Sequence, residues 1–312
     1  MPIINSMGSL TARAMGHVAT KKKKNIIPDL NAEFAVFNYG NSNVKLKSTL
    51  RDVHFVASNT AIEAKGLLNG CSYQTAVGKR DRQMVSCGYA GSETDVRECF
   101  LHATNAVQIT TKASSRGFYG ASVGNDVQAL IHIGYLITYL NLRDKYTYAD
   151  EACVPSVTSG VNSCSGAAFG NMTDAYFVYG ATAAGNVTTI EKVNYATYTK
   201  TVAKPLTLAF NLGAATGNGQ LAVIATGGTK TNTNKYTYAT DTCVSSSVLT
   251  SALSQGSAGG GATQGIFNLG STTVSRRNRH VYASGAVTAA YAPTSTSSLG
   301  SASGCSITGV NA

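Results

Sequence analysis

Asp144-Lys145-Tyr146-Thr147-Tyr148-Ala149-Asp150-Glu151-Ala152-Cys153-Val154 recurs ninety residues later as Asn234-Lys235-Tyr236-Thr237-Tyr238-Ala239-Thr240-Asp241-Thr242-Cys243-Val244. Looser copies follow the same template: Glu191-Lys192-Val193-Asn194-Tyr195-Ala196, Asn278-Arg279-His280-Val281-Tyr282-Ala283, Cys99-Phe100-Leu101-His102-Ala103 and Val53-His54-Phe55-Val56-Ala57. Their alanines stand at 57, 103, 149, 196, 239 and 283, so the spacings are 46, 46, 47, 43 and 44 residues. Self-similarity at a period of this size signals stacked or ring-closed units, none of which can bury its apolar face alone.

A second marker keeps the same phase. An apolar run ending near glycine precedes each alanine: Phe37-Asn38-Tyr39-Gly40, Val85-Ser86-Cys87-Gly88, Ile131-His132-Ile133-Gly134, Tyr176-Phe177-Val178-Tyr179-Gly180, Val223-Ile224-Ala225-Thr226-Gly227 and Ile266-Phe267-Asn268-Leu269-Gly270. A third marker, rich in small residues, precedes the later runs, as in Ser163-Cys164-Ser165-Gly166-Ala167-Ala168 and Gly256-Ser257-Ala258-Gly259-Gly260-Gly261. Polar–aromatic alternation in the first marker reads as a half-buried strand. The continuous apolar run reads as a strand covered on both faces, near the axis of a ring. Six units of about 45 residues, each a small sheet, predict an all-β, six-bladed β-propeller over residues 31–311. An open β-solenoid and a trimeric β-rich fibre are the alternatives. In a propeller, residues 31–40 are expected to close the ring against residues 290–311.

Composition fits this reading. Charged residues make up 13% of the chain, against roughly 25% in ordinary soluble domains, so Ser, Thr, Asn, Gly and Tyr must cover the surface. There is no Trp, but there are 16 Tyr. No apolar run reaches the length of a membrane-spanning helix. Residues 1–30 lack the order of a secretory signal, because Lys21, Lys22, Lys23 and Lys24 follow the apolar part instead of preceding it. This stretch reads as a basic N-terminal arm. Arg13 and the four lysines against Asp29 give it +4 of the chain's +10. These five basic residues are the expected docking contacts, on an acidic protein surface. Basic residues interleaved with stacking aromatics along one face would mark a nucleic-acid groove. That pattern is missing, and no specific nucleic-acid partner is expected.

No catalytic constellation emerges. The histidines His54, His102 and His280 fall in or near one strand of successive copies, which makes them repeat positions. No H-x-H or H-E-x-x-H spacing occurs. The acids read as scattered, with no pair placed for glycoside hydrolysis. The chain is therefore expected to be non-enzymatic, without metal or cofactor. Seven cysteines leave at least one unpaired within the chain. Cys87 with Cys99 and Cys153 with Cys164 are the candidate within-blade disulfides. The other reading makes all seven small buried hydrophobes.

Small residues, then an apolar strand ending in glycine, then a Tyr-bearing strand make each unit resemble the kelch repeat. The fullest likeness lies in Ser257 to Gly265, Leu221 to Gly228 and Lys235 to Cys243. Only the fifth copy keeps a double glycine, Gly227-Gly228. The position of the family's Trp holds Cys153 or Cys243 in two copies. The chain is most similar to degenerate kelch-like virion proteins of tailed bacteriophages, and Ser6 to Gly16 resembles their N-terminal arm. That resemblance implies a structural protein of the capsid, neck, collar or tail, assembled in the host cytoplasm and carried on an extracellular particle. Its partners would be other virion proteins in a multimeric assembly. A lectin-like propeller that binds a host-surface glycan or receptor is the alternative.

Overall fold

The computed structural model describes residues 33–39, 49–70, 72–89, 92–253, 256–270, 276–293 and 303–306. Among them there is no helix. Six antiparallel sheets of four strands each form the molecule, with one further two-stranded hairpin, Ala181–Thr182 with Gly185–Asn186. The innermost strands of successive sheets lie side by side, and the sixth meets the first, so the sheets are the blades of a closed six-bladed β-propeller. Full closure removes the long exposed edges that an open sheet would present.

Each blade runs outward from the axis. In the third blade the strands are Ala121–Gly124, Gln128–His132, Arg143–Thr147 and Cys153–Pro155. The three sequence markers are thus the three inner strands in chain order. Small residues form the innermost strand, where six strands crowd together. The apolar run is the second strand, not the one lining the axis. Phe34–Asn38, Gln128–His132 and Asp174–Val178 are buried at every position, because blades cover them on both faces. The Tyr-bearing element is the third strand, and the marker alanine is the second residue of the turn after it.

The first blade is assembled from both ends of the chain. Phe34–Asn38, Arg51–Phe55 and Thr60–Glu63 supply its outer three strands, and Ser303–Ser306 adds the innermost one. Ala35 pairs with Ser306 and Asn38 with Ser303, antiparallel. Of residues 31–40, Ala35 to Asn38 therefore do meet the C-terminal segment.

The third strands carry a buried charge system that runs between blades. One equivalent position of these strands holds Arg51, Arg97, Arg143, Ile190, Thr233 and Arg277, and the next, the second position, holds Asp52, Glu98, Asp144, Glu191, Asn234 and Asn278. Three of the four arginines reach the second-position acid of the following blade, while Arg51 donates to Asn38 Oδ1 and Lys65 O. Arg97 bonds Asp144, Arg143 Nη1 lies 2.6 Å from Glu191 Oε1, and Arg277 Nη2 lies 2.7 Å from Asp52 Oδ1. Burial lowers the Arg51 pKa, and the charge of Glu98 opposes that effect. Where the arginine is replaced, by Ile190 and Thr233, the next blade carries an amide, Asn234 and Asn278. No buried carboxylate is left facing an apolar neighbour, which would cost several kcal/mol, on the order given for an isolated buried ion.

The second position has another duty that an amide fulfils equally well. It accepts backbone N–H groups from the loop that leaves the preceding blade: Leu68 and Asn69 on Glu98, Ser114 on Asp144, Gly160 on Glu191, Thr207 on Asn234 and Thr250 on Asn278, at 2.6–2.9 Å. The arginines also stack on a phenylalanine of the next blade: Arg51 on Phe100, Arg143 on Phe177 and Arg277 on Phe37, 4.0–4.4 Å from the ring centroids.

Candidate functional site

The six innermost strands begin around the mouth of an axial cavity of about 650 Å³, counted with its opening. Tyr73, Tyr119, Ser165 and Leu212 stand at equivalent places just before four of these strands. All four adopt left-handed backbone, with φ between 53° and 57°. This turns their amides sideways around the axis. Tyr119 N donates to Tyr73 O, Ser165 N to Tyr119 O and Leu212 N to Ser165 O, at 2.9–3.1 Å. A band of backbone hydrogen bonds thus ties blades two to five at the rim.

The glycines that end three of the apolar runs, Gly134, Gly180 and Gly227, fit beneath this band. A Cβ on Gly134 would lie 2.5 Å from Phe118 O and 2.6 Å from Tyr119 O. On Gly180 it would lie 2.3 Å from Ser165 O, and on Gly227 2.2 Å from Asn211 O. Steric exclusion against the rim explains the marker at these three positions, and at Gly134 and Gly227 the positive φ of 85° and 69° adds to it.

Aromatic rings gather on one side of the mouth, over blades two and three. Tyr73 and Tyr119 pack with centroids 4.3 Å apart. Phe118 contacts Tyr119 at 4.9 Å, Tyr135 at 5.4 Å, Tyr89 at 5.9 Å and Tyr73 at 6.0 Å, and Tyr135 continues to Tyr139 at 5.5 Å. All six rings are half-buried. Beyond them Ile137, at the tip of the Tyr135–Tyr139 loop, is 85% exposed. Burial pushes the Tyr119 hydroxyl above its ordinary pKa, and its hydrogen bond with Tyr73 adds to this. Among the described residues the cavity lining contains no Asp, Glu, Lys, Arg or His. Thr75 Oγ1 and Ser122 Oγ pair at 2.7 Å within it, and Ser257 Oγ, on the sixth blade, is buried with no hydrogen-bond partner.

The structure does not bring the histidines together. His54 and His280 occupy one column of the third strands, His102 lies two residues further along its own, and His132 ends a second strand against Ser163 O. Burial holds His54, His102 and His132 down to about 4 and lowers His280 as well. Among the described residues no three His, Cys, Asp or Glu side chains gather in a way that could hold a metal ion.

The expected disulfides do not form. Cys99, Cys153, Cys164 and Cys243 are free thiols. Cys153 sits on the outermost strand of the third blade, whereas Cys164 lies at the axial entry of the fourth, so a blade boundary and the blade's radius separate them. Cys99 stands in register with Met84 on the neighbouring strand, three residues from Cys87. Cys153 and Cys243 do occupy equivalent places, paired with Tyr146 and Tyr236. Arg13 and Lys21 to Lys24 lie outside the described residues.

No family model matches the chain, and no curated protein matches it. Among solved structures it is similar to the one titled "Structure of YjhT", at 12% sequence identity over 63% of this chain and 72% of that one, with a TM-score of 0.53. That likeness concerns the propeller fold alone.

Proposed function

We propose that this chain is a non-enzymatic structural component of a multimeric particle, docked by its basic arm and displaying the propeller. The observation that carries this reading is the use of charge. The arginine and acidic columns of the third strands face across blade boundaries, where they brace the ring. A frame of this kind suits a rigid display module. The kelch-like order of small, apolar and Tyr-bearing strands belongs to the same proposal. So does the likeness of Ser6 to Gly16 to the arms of tailed-phage virion proteins, which suggests a place in a capsid, collar or tail.

The test compares the full chain with one lacking residues 1–30, by sedimentation velocity and circular dichroism. Both should be folded β proteins, and only the full chain should enter larger assemblies. Loss of the β signal on deletion, or equal assembly by both chains, contradicts the arm's docking role.

A further inference from the structure

We propose that the mouth of the axial cavity is a binding site for a neutral saccharide residue, with Tyr73, Phe118, Tyr119 and Tyr135 as the stacking wall. The scaffold does not need aromatics there. The same left-handed rim position is filled by Ser165 and Leu212 in the next two blades with the hydrogen-bonded band intact. Phe118 is matched by Ser72 and Cys164 in the neighbouring blades, as the equivalent rim bridges show.

Aromatics used for packing look different in this molecule. Phe169, Tyr176 and Tyr236 form a cluster at the boundary of blades four and five and are buried to within 2%. The mouth cluster keeps its rings partly open to solvent.

The chemistry of the cavity selects the ligand class. Ring faces attract the C–H faces of a sugar, and tyrosine hydroxyls offer polar tips beside them. Hydroxyls of Thr75 and Ser122 stand deeper, and the unpartnered Ser257 hydroxyl lies on the blade opposite. A buried hydroxyl without a partner is costly unless something bonds to it. Among the described residues no charged side chain lines the cavity, which gives an ionic ligand no counter-charge from them. A neutral, hydroxyl-rich ligand with an apolar face meets all these conditions.

The experiment uses the full chain on an array of neutral hexose and N-acetylhexosamine oligosaccharides, with sialylated and sulfated glycans as charged comparisons. Hits are titrated by intrinsic tyrosine emission, which no Trp masks. Binding of neutral glycans is expected, falling tenfold or more in Tyr73→Ala and Tyr135→Ala and unchanged in Val202→Ala on an outer strand. Amide shift changes in the wild-type protein, which require no variant to fold, should centre on residues 118–122. A blank array, a preference for charged glycans, unchanged affinity in folded rim variants, or shifts confined to the outer strands would each overturn the proposal.

Discussion

The arginine column of the third strands shows how one residue choice dictates another 47 or 48 residues away, in Arg97 with Asp144 and Arg143 with Glu191. Arg143 with Glu191 is the case to test, since Ile190 with Asn234 supplies a natural neutral version at the next boundary. Glu191→Asn alone strands the Arg143 charge and Arg143→Ile alone strands the Glu191 charge, and each should cost about 3–5 kcal/mol. Arg143→Ile with Glu191→Asn should recover most of that loss. Urea midpoints of the two single variants and the double variant settle it, and a double variant no better than the worse single one contradicts the pairing. This column is legible in the sequence: Arg51-Asp52, Arg97-Glu98 and Arg143-Asp144 are dipeptides in the repeat phase, but the aromatic and small-residue markers do not include them, so the acids read as scattered. Histidine gives a second prediction at this scale. His54, His102 and His132 titrate near 4 when folded and near 6.5 when unfolded. Between those values the unfolded chain binds protons that the folded chain refuses. Stability should therefore fall as pH drops from 6.5 to 4, by about 1.4 kcal/mol per unit for each group, and these groups should contribute no slope above 6.5. His54→Phe copies Phe100 at the same position of the second blade. It should flatten the slope of urea midpoint against pH, and an unchanged slope would exclude His54 as a source.

Strands and their turns carry the sequence markers, each for a separate physical reason. The small-residue strand is small because six strands converge there. The apolar strand is covered on both faces, which periodicity showed. Its place second from the axis was not visible, because burial on two faces occurs at any inner radius. The glycine at its end read as a turn signal, but its cause is the rim carbonyl pressed against it, a contact between distant segments that no local pattern reports. Gly134→Ala should therefore cost more than its positive φ alone, about 2–4 kcal/mol given a backbone clash added to strain. Chemical denaturation measures it, and a loss below 1 kcal/mol, on the scale of a simple Gly-to-Ala change, would contradict the contact. The cysteine pairings failed at this same scale. Residues 153 and 164 are close in sequence but straddle a blade boundary, and sequence distance does not mark where one sheet ends.

For the molecule as a whole, closure is the central claim. A six-unit period makes a ring, and a ring of sheets needs its two ends to share a blade. The expectation that residues 31–40 meet the C-terminal segment followed from that need. The division into three strands from one end and one from the other depends on where the phase begins, which a period cannot supply. Nor could the repeat reveal the aromatic side of the mouth, since Tyr73, Phe118 and Tyr135 are departures from it. Hydrogen exchange at Phe34–Asn38 tests closure most directly. Paired on one side with Arg51–Phe55 and on the other with Ser303–Ser306, this segment should be as protected as Gln128–His132, its counterpart in the third blade. Removing residues 303–312 should release the protection that the C-terminal strand provides. Fast exchange at Phe34–Asn38 in the full chain, or exchange indifferent to that deletion, would contradict the closed ring.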